Sequence, residues 1–236
     1  MRPVERGDWP VHGVTGLPVE FTDYGEAKPA LLDRLGHYCS YCEMPIQNSP
    51  AVEHVQPKSL APDLERMWCN FLLSCVYCNS SKLATHVSLS ACFWPDQDNT
   101  ARAFRYAEPW LVDAAPGLGA ADAQRAGRTI HLVGLDKVPG APRRPSDSDP
   151  RWRFRKEAWE KAVRAKSRIA GWQGGVDVIR DLAIDLAKAT GFWSVWMAVF
   201  DDDPEMKRLL IREFPCTATG CFDEQGSCVS RRSGAL

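Results

Sequence analysis

Two short cysteine turns constrain this chain more than any other feature. Cys39-Ser-Tyr-Cys42 and Cys75-Val-Tyr-Cys78 are both CxxC, with 32 residues between them. Each tight turn presents two sulfurs to one point, and four thiolates make a tetrahedral zinc set. A closed set of four leaves no open coordination position. The zinc expected at Cys39, Cys42, Cys75 and Cys78 is therefore structural and does no chemistry itself. The second turn runs into a predicted helix, the build of a treble-clef-like or ββα metal motif. Nine cysteines in one chain are read here as thiols and metal ligands, because the opening MRPVERGDWPVHG lacks the apolar core of a signal peptide. The longest apolar stretch, 191–200, is far shorter than the ~20 residues a membrane helix needs. The expectation is a cytoplasmic protein without membrane insertion.

Groups suited to chemistry lie between the cysteine turns or just after them. Glu53-His54 stands in VEHVQPKS, Asn70 in WCNFLLSC, Asn79 directly after Cys78, and Lys82 three residues later. With YCSYCE, these segments span residues 38–82, about a fifth of the chain. Their combination resembles the HNH endonuclease family. That resemblance implies an α+β protein whose ββα-metal core carries a four-cysteine zinc site. It implies that His54 is the general base, taking a proton from the water that attacks a phosphodiester. An imidazole with an ordinary pKa near 6.5 can do so close to neutral pH. Glu53 matches the family's metal ligand before the base, and Asn79 matches the second ligand, in a position where the family carries His or Asn. Asn70 matches the middle residue of the family name, whose amide would fix the loop that orients His54. The implied catalytic ion is Mg²⁺ or Mn²⁺, since a carboxylate and an amide are hard oxygen ligands.

Each residue also has a plainer reading. Glu53 could pair with Lys58 or Arg66, and Asn79 could cap the helix after Cys78. Lys58 and Lys82 are candidate phosphate contacts, although Lys82 could equally be a solvated helix residue. His86 lies seven residues beyond Asn79, about 10 Å along a helix, too far to share an ion. Cys69 and Cys92 read as core residues. Cys216, Cys221 and Cys228 contain no CxxC and are not assigned a second zinc.

The chain divides into a nuclease region at 1–110, a loop-rich connector at 111–150 and a helical region at 151–236. Residues 1–30 read as an extended arm, and 129–135 (TIHLVGL) as a strand. Helices are predicted at 30–36, 151–171, 176–189 and from Asp203-Pro204 onward. Hydrophobic residues at 44% and charged residues at 25% suit a folded protein and exclude a disordered one. The net charge of −1 argues against coating nucleic acid through global charge. Yet residues 143–168 hold ten basic side chains against four acidic ones. Arg153, Lys161, Arg164 and Arg168 approach one helical face there, a candidate phosphate-binding surface without base-specific readout.

The expected activity is hydrolysis of DNA with little sequence preference, leaving 5′ phosphate and 3′ hydroxyl ends. The size and motif layout resemble HNH effectors of bacterial anti-phage defence systems of the Septu and Zorya type, which implies an ATPase or sensor subunit as partner. A McrA-like restriction endonuclease and a non-catalytic zinc-dependent nucleic-acid-binding module are the alternatives. A homodimer would explain cleavage of both strands, and a nicking monomer fits equally.

Overall fold

The computed structural model describes all residues except 49, 86, 87, 108, 109 and 233. The chain is α+β: two small antiparallel hairpins lie among eight α-helices in the described residues. Helix α1 (Lys28–Leu35) leads to the first cysteine turn. Strands β1 (Ala51–His54) and β2 (Phe71–Ser74) pair with Glu53 opposite Leu72 and His54 opposite Phe71. Helix α2 (Val76–Lys82) starts within the second cysteine turn. A one-turn helix, α3 (Thr100–Ala103), precedes the hairpin of β3 (Phe104–Ala107) and β4 (Leu111–Ala114). Helices α4 (Ala120–Val133), α5 (Arg151–Ala170), α6 (Val176–Thr190), α7 (Trp193–Val199) and α8 (Pro204–Glu213) follow. None of the described helices is long and apolar enough to cross a membrane.

Two apolar cores form. One gathers α1, the β1–β2 hairpin, the cysteine turns and α4 around Phe71, Leu72, Phe93 and Ile130. The other fills the space between α5, α6, α7 and α8 with Trp193, Trp196, Phe200 and Leu210. They are joined through the first cysteine turn. Glu43, directly after Cys42, has φ 66 and is buried. Its carboxylate accepts from the Ser194 amide at 2.9 Å and the Ser194 hydroxyl at 2.6 Å. A carboxylate there satisfies orphan donors of the first turn of α7 and suits the helix dipole. Gly191 permits the approach, because a Cβ on it would lie 2.5 Å from the Glu43 carbonyl oxygen.

Three expectations change. Residues 111–150 are loop only in part, since they hold β4 and the 14-residue α4. Residues 129–133 of the expected strand belong to α4, where Ala126, Thr129, Ile130 and Val133 share a buried helical face. The β-branched residues disguise that 3.6-residue period in a short window. The arm at 1–30 is extended at its start but not loose. Arg2 and Arg6 are buried, and Arg6 donates to the Phe71 carbonyl of β2 at 2.9 Å and pairs with Asp96 at 2.8 Å. From this arm, Phe21 stacks on Trp68 and meets Phe71 of the first hairpin edge-on.

Candidate metal centre and active site

The four cysteines of the two turns converge. All are buried, and the Sγ atoms of Cys39, Cys42, Cys75 and Cys78 lie within 4.8 Å of one another. Cys42 and Cys75 are 3.6 Å apart, against the ~3.8 Å that a tetrahedron with 2.3 Å zinc–sulfur bonds requires. The donor set therefore fits a structural zinc. Local hydrogen bonds build it. The Glu43 amide closes the first turn onto the Cys39 carbonyl at 2.9 Å, and the Ser40 amide docks that turn on Leu73 of β2 at 2.8 Å. Cys75 is the N-cap of α2, and its sulfur accepts from the Cys78 amide at 3.4 Å. Two ligands thus sit at a helix N-terminus, where the dipole favours thiolates. Burial pushes the Cys42 and Cys78 thiols well above their ordinary range, a cost that a bound divalent cation offsets.

A third participant escaped the sequence. Arg151, at the start of α5, is buried and donates to Cys78 Sγ at 3.1 Å. The same guanidinium donates to the Val133 carbonyl at 2.8 Å and pairs with Asp149 at 2.7 Å. One arginine thus ties the cysteine cluster to the end of α4 and the start of α5. No local pattern reveals it, because 73 residues separate the partners.

His54 stands at the end of β1, half-buried between Tyr24 and Phe71, whose rings lie 4.8 and 5.3 Å from the imidazole. Its Nε2 is 2.8 Å from the Glu65 carbonyl oxygen. A carbonyl only accepts, so Nε2 carries the proton and the neutral ring keeps its lone pair on Nδ1. Burial lowers the His54 pKa below 6.5. The Glu65 carbonyl opposes that shift, and the charges of Lys58 and Lys82 add to it.

Asn70 fixes the same loop. Its Nδ2 donates to the Gln56 carbonyl at 2.9 Å and the Leu64 carbonyl at 3.2 Å, and its Oδ1 accepts from the Gln56 amide at 2.7 Å. These bonds close residues 56–64 directly after His54 and just before Glu65.

Glu53 points the other way, toward α2, as strand alternation requires. Its partner is neither Lys58 nor Arg66. The Lys82 ammonium lies 2.8 Å from Glu53 Oε1 and 2.7 Å from the His54 carbonyl oxygen, and the lysine is 1% exposed. Lys82 is therefore not a surface phosphate contact. Its buried charge is held by a carboxylate and a carbonyl, the pairing that makes such burial tolerable. Burial still raises the Glu53 pKa, with Lys82 opposing. Spacing could have signalled the pair, since a lysine four residues after Cys78 shares its buried helix face. Asn79 lies inside α2 rather than at its cap, exposed, one turn before Lys82. Lys58 is exposed, 3.0 Å from Glu65 and 4.5 Å above the Tyr24 ring. His86 lies outside the described residues.

The basic stretch divides. Arg151 and Arg155 are buried, Lys156 pairs with Glu160, and Lys166 pairs with Asp202. Arg153, Arg164 and Arg168 stay exposed and Lys161 half-buried, away from the buried Ala158 and Ala162. Cys92 is buried as expected, whereas Cys69 is exposed, because the short turn at Trp68–Asn70 buries Trp68 and Asn70 instead. Cys221 is buried, and Cys216 and Cys228 are exposed.

Fold and site together define an α+β protein with a buried four-cysteine cluster that could hold a metal ion, beside a strand–strand–helix unit that carries Glu53, His54 and Asn79. No protein-family model matches the chain, and neither does any curated protein.

Proposed function

We propose that this protein is a metal-dependent endonuclease of the HNH kind, hydrolysing DNA phosphodiester bonds with little sequence preference. The observation that carries this reading is the state of His54. Its Nε2 is committed to the Glu65 carbonyl, which leaves Nδ1 as a base on a hairpin braced by the cysteine cluster. The HNH-like motifs supply the reaction, and the strand, strand and helix order around them supports it.

The ligands that the resemblance implies for a hard divalent ion are Glu53, buried beside Lys82, and Asn79, exposed on α2. Glu53 commits one oxygen to Lys82. Asn79 adds an amide oxygen from the exposed side of α2. Glu53 and Asn79 would hold Mg²⁺ or Mn²⁺, which supplies charge stabilisation at the phosphate and the leaving 3′ oxygen. His54 Nδ1 takes a proton from water, and the resulting hydroxide bonds to phosphorus as the bond to the 3′ oxygen breaks. The 3′ oxygen leaves with the electron pair and is protonated from solvent. As the ring becomes cationic, its Nε2–H bond to Glu65 strengthens, a charge-assisted bond preset by Asn70. Lys82 holds Glu53 in place and offsets its charge.

Arg153, Lys161, Arg164 and Arg168 are the proposed phosphate-contacting face. Work as an anti-phage effector beside an ATPase or sensor, and as a homodimer, extends this proposal on the strength of the motif resemblance. The test is conversion of supercoiled plasmid by zinc-loaded protein. Nicked or linear DNA with 5′ phosphate and 3′ hydroxyl ends is expected with Mg²⁺ or Mn²⁺, and none with a chelator. Failure to cut plasmid, linear duplex and single strands alike, with either ion, would overturn the assignment.

A further inference from the structure

Lysines 58, 82 and 137 lie on or against the strand–strand–helix unit that carries Glu53, His54 and Asn79. Lys58 is held by Glu65 and Lys82 by Glu53. Lys137 is claimed by no carboxylate among the described residues. It follows α4, is half-buried, and donates from its ammonium to the Ser81 hydroxyl of α2 at 3.0 Å. That partner is neutral. Asp149 feels the charge of Lys137, but both of its oxygens are taken by Arg151, at 2.9 and 2.7 Å. The Asp149 and Arg151 charges cancel, and that of Lys137 is left over.

The seat of Lys137 is built rather than loose. Helix α4 ends on Gly134 at φ 69 and ψ 34, the left-handed region that favours glycine. A Cβ on Gly134 would lie 2.7 Å from Ser81 Oγ and 3.2 Å from Lys137 Cδ. The end of α4, the side of α2 and the stem of Lys137 are therefore packed together with no room for a larger residue. The Gly134 carbonyl also accepts from Arg151 at 3.1 Å, which brings the start of α5 to the same place. Ser81 stands two residues after Asn79, and Arg153 two residues after Arg151. Lys137 thus sits where α2, carrying a candidate ion ligand, meets α5, carrying the basic face. Its surroundings share its sign. Residues 125–144 hold five basic side chains and one acid, Asp136, which pairs with Arg143 at 2.9 Å. Arg128 and Arg144 are exposed.

A lysine ammonium has three N–H donors. Ser81 takes one and fixes the direction, which leaves two for an incoming anion. A point charge of this kind suits a phosphate oxygen and reads no base. We propose that Lys137 contacts a phosphate of the DNA backbone, on a strand path that runs from the candidate site on α2 to the basic face of α5, with Ser81 as its positioning residue. This role rests on DNA being the substrate. No local pattern in the sequence points to it, because 56 residues separate Lys137 from Ser81.

The experiment is fluorescence anisotropy of the full, zinc-loaded chain with a short labelled duplex, without Mg²⁺ or Mn²⁺, across a series of salt concentrations. Wild type should bind, with log K falling linearly against log salt. Lys137→Met should lower the slope by about 0.9, the share of one phosphate contact. Lys137→Arg keeps the charge and should keep the slope. Lys188→Met removes an exposed charge from α6 and should also keep it. Zinc content and unfolding midpoint report that each variant folds. If wild type binds and folded Lys137→Met keeps the full slope, the contact is overturned while DNA stands as the substrate. An equal fall of the slope in Lys137→Arg or Lys188→Met would overturn the contact in the same way. If wild type binds neither duplex nor single strands, the contact and the DNA reading fall together.

Discussion

His54 and Glu53 are neighbours in sequence with opposite environments, and strand alternation is the reason. One faces the Tyr24 and Phe71 rings, the other faces Lys82 on α2. Burial lowers the His54 pKa below 6.5. A histidine with a depressed folded pKa contributes stability that is intact above pH 6.5 and lost as pH falls through the folded value. Urea unfolding of wild type should therefore lose more stability between pH 7.5 and 5.5 than that of His54→Gln. The acid limb of any cleavage profile should likewise lie below pH 6.5. Asn70 makes three side-chain hydrogen bonds within one loop. At about 1 kcal/mol each, Asn70→Ala should cost about 3 kcal/mol in denaturant unfolding. The residue types at 53, 54, 70 and 79 were legible because the cysteine turns framed them. The Lys82–Glu53 pair was only half legible. Spacing puts Lys82 on the right helix face, but whether an ammonium lies buried or solvated depends on what packs over it.

At the scale of elements, helix boundaries were legible wherever breakers and period agreed. Asp149-Pro150 and Gly171 bracket α5, Gly175 and Gly191 bracket α6, and Asp203 caps α8 through a 3.0 Å bond to the Met206 amide. The period failed at 129–133, where threonine, isoleucine and valine imitate a strand within a helix. Contacts between elements left no trace in the sequence. Arg151 is the clearest example, counted with a basic surface and found holding Cys78, the end of α4 and Asp149 together. Arg151→Met strands the buried Asp149 carboxylate and removes a positive charge from the cysteine cluster. It should destabilise the chain by at least about 3 kcal/mol and speed zinc loss to a competing chelator. Unchanged zinc release in that variant would mean that the arginine braces the helices without tuning the metal centre.

Across the whole molecule, a chain of net charge −1 presents one basic helical face, smaller than its composition suggests. Two of its arginines serve the interior and two of its lysines are paired. Arg153, Arg164 and Arg168 remain exposed. If they meet phosphates, changing all three to serine should weaken duplex binding uniformly across sequences. It should also lower the salt slope of log K by about 0.9 for each phosphate no longer neutralised. An unchanged slope would place the DNA elsewhere. The two cores meet at Glu43, so the cysteine centre supports α7 as well as the hairpin. That link could not be read from sequence, because Glu43 and Ser194 lie 151 residues apart.

Plasmid cleavage by His54→Ala, beside wild type at equal zinc content, tests the central claim most directly. Wild type should nick or linearise supercoiled DNA with Mg²⁺ or Mn²⁺. The variant should keep its four-cysteine zinc and lose cleavage by two orders of magnitude or more, the scale of a missing general base. A zinc-loaded His54→Ala protein that cuts as fast as wild type would contradict the assignment of His54 Nδ1 as the base.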